Sequence, residues 1–155
     1  MQIREFDIRD EEEVIALWRQ CNLVVPWNDP KKDIQRKLKV NPELFLVGII
    51  ENVVAATIMG GYEGHRGWVN YLAVSPSHQR KGCGRQMMEY LEAKLRELGC
   101  PKINLLVRSD NAAVIAFYER LGFKRDAVVS LGKRLKRDEG DAWITTTGSA
   151  ASGFS

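Results

Sequence analysis

Val69-Asn70-Tyr71-Leu72-Ala73-Val74-Ser75-Pro76-Ser77-His78-Gln79-Arg80-Lys81-Gly82-Cys83-Gly84-Arg85 decides how the rest of the chain is read. It reads as a short apolar strand, a turn at Ser75-Pro76, a basic loop with two glycines, and then the start of an amphipathic helix. A strand that runs through a glycine loop into a helix builds an anion site. The first-turn N–H groups have no intrahelical acceptor, and the helix dipole favours negative charge beside them. Gly82 and Gly84 carry no side chain to hold a phosphate off the backbone, and Arg80, Lys81 and Arg85 add positive charge. The nucleotide P-loop is excluded because no Gly-Lys-Ser/Thr follows, and GxGxxG is excluded because Met87 stands where its third glycine belongs. The alternative is a loop in which the glycines only turn the chain and the arginines face solvent.

Outward from this stretch, the helix after Gly84 carries Met88, Leu91, Leu95 and Leu98 inward and stops at Gly99, with Pro101 beyond. Ile103 to Val107 is an apolar run of the kind found in a buried central strand. Asn111 to Leu121 is a helix closed by Gly122, and Val128 to Leu135 reads as a final strand or hairpin. Upstream, Gln2 to Phe6 alternates as a first strand. Asp10 is placed to cap a helix whose acids Glu11–Glu13 suit its positive end and whose Val14, Leu17, Trp18 and Cys21 share a face. Asp29-Pro30 is an N-cap and first-turn pair for a second helix that buries Ile34 and Leu38. Phe45–Ile50 and Val53–Met59 form a hairpin around Glu51-Asn52. The run Gly60 to Gly67 then reads as an irregular turn, its four glycines marking a close approach of backbone or ligand. The order β-α-α-β-β-β-α-β-α-β makes the class α/β or α+β with a mixed sheet.

A length of 155 residues gives room for one domain, and 45% apolar residues with four tryptophans argue for a folded globule. The net charge of +3 is spread along the chain and forms no nucleic-acid stripe. Its weight near residues 79–85 suits a small polyanion. Cys21, Cys83 and Cys100 lack metal-ligand spacing, and no metal site is expected. Neither a basic, apolar signal segment nor a membrane-length run is visible, so a cytoplasmic, reduced protein without membrane contact is expected. The domain is expected over residues 1–139. Residues 140–155 are small, polar and of low complexity, as in a disordered tail, with Trp143 and Ile144 the residues able to dock it.

Two motifs together identify a family. The loop QRKGCG after YLAV resembles the acetyl-CoA pyrophosphate loop, Q/R-x-x-G-x-G/A, of the GNAT acetyltransferases. Asn111-Ala-Ala-Val-Ile-Ala-Phe-Tyr-Glu-Arg-Leu-Gly-Phe123 is similar to the motif N-x-x-A-x-x-F-Y-x-x-x-G-F that follows the family's fifth strand. The runs WNDP, MGGYEGHRG and LGKRL resemble a bacterial branch labelled YpeA-like. The resemblance covers residues 1 to about 137. It implies a mixed, mostly antiparallel central sheet flanked by helices and an acetyl-CoA-dependent N-acetyltransferase acting on a primary amine of a small molecule or protein. It leaves a homodimer open. The alternative on the same fold is a non-catalytic acyl-CoA sensor.

The resemblance also implies roles. The backbone of Leu72, Ala73 and Val74 holds the acetyl carbonyl and pantetheine, with the Val74 N–H polarising the thioester. Gln79, Arg80, Lys81, Gly82, Cys83, Gly84 and Arg85 hold the pyrophosphate, and Asn111 contacts the pantetheine or orders its loop. Tyr118 donates a proton to the departing thiolate. Against these stand plainer readings: Tyr118 as a core aromatic, Asn111 as an N-cap, Cys83 as packing. The family often places a glutamate on its fourth or fifth strand to deprotonate the amine, but Trp68 and Leu106 occupy those positions. A lysine-type amine of pKa ~10.4 is only about one part in a few thousand neutral at pH 7. Glu63, His65 and Tyr71 are therefore the candidates to assist, unless Glu63 and His65 are only turn residues. Trp27, Asn28 and Tyr71 are expected to line the acceptor site, unless Trp27 simply plugs the core.

Overall fold

The computed structural model describes residues 1–138. Five strands, β1 (Gln2–Glu5), β2 (Phe45–Ile50), β3 (Val53–Tyr62), β4 (Gly67–Val74) and β5 (Ile103–Leu105), form one sheet in chain order. The first four pair antiparallel and β4 pairs β5 in parallel, which gives the mixed, mostly antiparallel sheet expected. Four helices accompany it: α1 (Glu11–Gln20), α2 (Pro30–Lys37), α3 (Cys83–Glu97) and α4 (Ala112–Arg120). A parallel β4–β5 pair needs a crossover, and α3 supplies it. The expected tail, with Trp143 and Ile144, lies outside the described residues. Among the described residues no helix is long and apolar enough to cross a membrane.

Alternation along the strands splits the core between the two faces of the sheet. Phe6, Trp18, Ile34, Phe45, Val47, Val54, Met59 and Ala73 pack together on the α1/α2 face. Leu46, Ala56, Ile58, Val69, Met87, Met88, Leu91, Leu95 and Tyr118 pack on the α3/α4 face. The hairpin turn is as expected, with Glu51 and Asn52 both at positive φ (52° and 63°), the left-handed pair that matches strand twist. Asp29 caps α2, its Oδ1 accepting from the Lys31 N–H at 2.9 Å. Asp10 does not cap α1. Its carboxylate instead accepts two bonds from Arg4 (2.7 and 2.9 Å) and one from the Asp7 N–H, tying the helix start to β1.

Several expectations need correction. Gly60, Gly61 and Tyr62 continue β3 and pair with Val69, Trp68 and Gly67, so the turn is shorter than read. Two of its glycines serve the sheet–helix contact. A Cβ on Gly60 would stand 2.5 Å from Leu91 Cδ1, and one on Gly67 would stand 2.9 Å from Cys100 Sγ. Met88, Leu91 and Leu95 face inward on α3 as read, but Leu98 and, on α2, Leu38 are exposed, and Met87, not in the reading, is fully buried. Ile103 to Val107 is no central strand: β5 is short, half-buried and last in the sheet, and Leu106 is 49% exposed. Val128 to Leu135 forms no strand, and Val128, Val129, Leu131 and Leu135 are all exposed. Apolar residues make a strand only where a partner edge offers hydrogen bonds, and this segment takes none from β5.

Gly60→Ala should lower stability by about 1–3 kcal/mol, the cost of overpacking a filled core, because fully buried Leu91 has no free space to turn into. Equilibrium denaturation checks this. Gly61→Ala, with nothing within 4 Å of its added Cβ, is the control and should stay within about 0.5 kcal/mol.

Candidate active site

The site begins with one extra residue in β4. Thr57 of β3 faces Ala73 and Met59 faces Asn70, so two steps on β3 match three on β4. The surplus falls at Tyr71, whose φ of 51° is left-handed. Such a bulge bends its strand and re-aims the backbone. Pairing with β5 covers only Gly67–Val69, and β4 then runs on to Val74 without that neighbour. A notch opens between the two strands. The ladder also fixes which groups face it. Ser75 N–H donates to Ala55 O at 2.7 Å, so the next pair, Val74–Ala56, is the non-bonded one. Both polar groups of Val74 therefore turn away from β3. Its carbonyl accepts from Gln79 Nε2 (3.0 Å) and from Cys21 Sγ (3.3 Å), leaving its N–H toward the notch.

A bulky aromatic residue at positive φ is unfavourable, and three contacts hold Tyr71 there. Thr57 Oγ1 donates to the Tyr71 carbonyl at 2.8 Å and itself accepts from Trp18 Nε1 at 2.9 Å. The Tyr71 ring stacks on Trp18 with centroids 3.9 Å apart. The Tyr71 hydroxyl donates to Asp33 Oδ2 at 2.6 Å. Burial, then the bond to Asp33, raises the Tyr71 pKa, so the hydroxyl keeps its proton.

After β4 the chain turns through Pro76–His78 into the glycine loop. Arg80 (φ 62°) and Gly82 (φ 82°) are both left-handed, and Gly82 is the N-cap of α3 with no side-chain cap. The first helical bond is Gln86 N–H to Gly82 O, so the N–H groups of Cys83, Gly84 and Arg85 lack intrahelical acceptors. Arg80, Lys81 and Arg85 are exposed around them, with Arg85 3.7 Å from Glu89. The two glycines do different work. Gly82 has nothing within 4 Å of an added Cβ, whereas one on Gly84 would press on Phe117 Cζ at 3.1 Å. Gly84 thus lets α4 dock on the start of α3. Cys83 is buried.

On α4, Asn111 Oδ1 caps the helix by accepting from the Val114 N–H at 3.3 Å. Phe117 covers Gly84, and Tyr118, 9% exposed, stands edge-on to Phe117 and Phe123. Tyr118 belongs to the cluster on the α3/α4 face against which Leu72 and Val74 also pack. Its hydroxyl has no hydrogen-bond partner among the described residues, and burial pushes its pKa up to about 12.

Glu63 and His65 sit elsewhere. They occupy the β3–β4 turn, before Gly67, while the notch lies at the other end of β4, about 20 Å along a strand. Glu63 accepts from the Arg66 N–H (2.6 Å) and from Trp68 Nε1 (3.0 Å); desolvation pushes its pKa up, but the hydrogen bonds to its carboxylate together outweigh that and hold it below the usual carboxylate value. Its carboxylate closes the turn, and His65 is exposed beside it. Neither reaches the notch. Trp27 and Asn28 lie half-buried in the α1–α2 loop. Asp33, on the sheet-facing side of α2 next to Ile34, escaped the sequence reading. An acid beside a buried helix position is its only trace in the sequence.

The sequence pattern of the acetyltransferase (GNAT) family matches residues 11–123. An acetyltransferase of Sodalis glossinidius is 51% identical over 140 residues, spanning 90% of this chain and 99% of the relative. Among solved structures, the ribosomal-protein-S18-alanine N-acetyltransferase of Escherichia coli aligns with a TM-score of 0.69 at 26% identity, covering 81% of this chain and 79% of that one. Ard1 of Thermoplasma volcanium aligns with a TM-score of 0.70 at 25% identity, covering 81% and 84%. The bulged strand, the notch and the glycine loop at the start of α3 thus belong to an acyltransferase, and the chain belongs to the GNAT family of acetyltransferases.

Proposed function

We propose that the chain transfers the acetyl group of acetyl-CoA to a primary amine of a small molecule or protein by direct attack within a ternary complex. The observation that carries this is the Val74 N–H turned into the notch at the end of the strand that leads, through the glycine loop, to the uncapped start of α3. The pyrophosphate is held by backbone N–H groups from Arg80 to Arg85, where the positive end of the helix dipole and three basic side chains meet. Leu72, Ala73 and Val74 hold the pantetheine and the acetyl carbonyl. The Val74 N–H points where negative charge develops on the carbonyl oxygen, the arrangement that most lowers such a barrier. Asn111 acts from its capping position, by fixing the start of α4 rather than by reaching the cofactor.

Tyr118 faces the departing sulfur. A hydroxyl held at about 12 stays protonated at any working pH. A thiolate of ordinary pKa near ~8.5 is the weaker base of the two conjugates. Tyr118 therefore steadies the leaving sulfur chiefly through a hydrogen bond, and the proton the thiolate keeps comes finally from solvent. The acceptor amine has no strand carboxylate to deprotonate it. An α-amine, with a pKa of about 8, is neutral far more often than a lysine side chain and asks least of such a site. The acceptor class favoured is accordingly a substrate bearing an α-amino group.

Two substitutions test this reading. Gly82→Glu places a carboxylate at the pyrophosphate position without a steric clash. Calorimetry should show acetyl-CoA affinity reduced at least about tenfold, with the fold retained despite about 1–2 kcal/mol of left-handed strain. Unchanged affinity in the folded variant removes the loop from the cofactor site. Gly84→Glu is the poorer probe, because its side chain would also displace Phe117. Tyr118→Phe deletes a hydroxyl that has no partner in the described fold, so the melting temperature should hold. Its turnover should drop by at least about tenfold, the low end for loss of a hydrogen bond to a charged group, while acetyl-CoA affinity stays the same. Turnover near wild type would leave Tyr118 as a core aromatic alone.

A further inference from the structure

An amine that attacks a thioester gains positive charge as the carbonyl oxygen gains negative charge. The Val74 N–H answers the oxygen, but none of the groups assigned so far answers the nitrogen. Trp68 and Leu106 are apolar at the strand positions, and Glu63 and His65 stand at the far end of β4. The nitrogen's direction of approach follows from what closes the other side. The loop at Arg80–Arg85, Phe117 and Tyr118 occupy the α3/α4 face of the notch, so the amine must come from the α1/α2 face. Tyr71 is the bulge residue, its ring lies on that face against Trp18, and its hydroxyl proton is committed to Asp33. The lone pairs on the same oxygen remain available for an N–H donor.

The charges around this hydroxyl favour a donor. Asp33 is held on its other side by Arg36 Nη1 at 3.0 Å, and Arg36 in turn pairs with Asp138, which also accepts from the Asp29 N–H at 2.8 Å. Lys32 lies near Asp138, and Lys37, one turn beyond Asp33, directs its ammonium to the Gly60 carbonyl. The Asp33 carboxylate is thus fixed in place, with its side chain 21% exposed. A carboxylate that accepts the tyrosine proton makes the phenolic oxygen a better acceptor.

We propose that the Tyr71 hydroxyl accepts a hydrogen bond from the attacking amine, and that Asp33 is the positioning residue that orients and polarises it. The inference rests on the N-acetyltransferase reading above. The nitrogen lone pair forms the C–N bond while the carbonyl π pair moves to oxygen; collapse then breaks the C–S bond. The nitrogen gives one proton to solvent, and the CoA sulfur ends protonated. Tyr71 neither gains nor loses a proton. It holds the nitrogen lone pair toward the carbonyl carbon and stabilises the positive charge that grows there.

The test uses the full chain, acetyl-CoA, and an acceptor panel of an α-amino peptide, a lysine-side-chain peptide, a polyamine and an amino sugar, with CoA release followed. Tyr71→Phe keeps the ring on Trp18. It should lower kcat/KM for the best acceptor by about ten- to a hundredfold, the range for a hydrogen bond to a charged group, with acetyl-CoA affinity unchanged by calorimetry. Asp33→Asn should lower the same quantity, and the double variant should be no worse than Tyr71→Phe, since Asp33 acts through Tyr71. Unchanged kcat/KM overturns the proposal. So does a loss of acetyl-CoA affinity as large as the loss of rate, which would make Tyr71 a prop for the bulge alone. Additive losses in the double variant overturn the role of Asp33. If Tyr71→Phe does not fold, Asp33→Asn carries the same rate-against-affinity comparison. A wild-type protein that binds acetyl-CoA yet acetylates nothing in the panel overturns the transferase reading itself, and this inference with it.

Discussion

Tyr71 adopts a backbone conformation that an aromatic residue avoids, and the notch exists because it is held there. The restraint is a short chain of buried bonds. Trp18 on α1 donates to Thr57 on β3, Thr57 donates to the Tyr71 carbonyl, and the Tyr71 ring lies back on Trp18. Thr57 and Trp18 are completely buried. Each bond therefore matters most by sparing its donor or acceptor an unsatisfied state in the core. Three elements distant in sequence thereby fix one dihedral angle. From that angle follow the extra residue in β4, its divergence from β5 and the direction of the Val74 N–H.

The second half of the site is positioned by packing. Gly84 lets Phe117 reach α3 at its first turn, and Gly60 lets Leu91 reach β3 toward its C-terminal end. Both contacts exclude a side chain so that two elements can approach. They set where the helix start, with its free N–H groups, stands relative to β4. The glycines that look most like ligand contacts thus divide by environment. Of the loop pair, Gly82 faces open space and needs glycine for its backbone angle, whereas Gly84 meets Phe117.

The sequence made much of this readable where a residue type has one physical use. The loop Gln79–Arg85 and the run Asn111–Phe123 pointed to the candidate site because their glycines, basic residues and helix starts admit few arrangements. Asp29-Pro30 and Glu51-Asn52 marked a helix start and a hairpin for the same reason. Residues whose use depends on a distant partner were not readable. Asp33 matters because Tyr71, 38 residues later, points at it. Glu63 looked like a base until Trp68 and the Arg66 N–H claimed its carboxylate. Gly60 and Gly67 were read as loop because their partners, Leu91 and Cys100, belong to other elements. Val128–Leu135 has apolar residues enough for a strand, but composition carries no information about which edge would receive it.

The partition of the core into two clusters, one on each face of a single sheet, has a further meaning for traffic through the notch. On the proposed ternary-complex reading, the sheet is a wall with a slot in it, and the slot joins two separate antechambers. A nucleotide-bearing molecule and its reaction partner that meet in such a slot enter by opposite doors. After the exchange each leaves by the door it used, so neither blocks the other's exit. Order of departure is then set by how tightly each antechamber holds its own guest, and not by a queue at a shared opening.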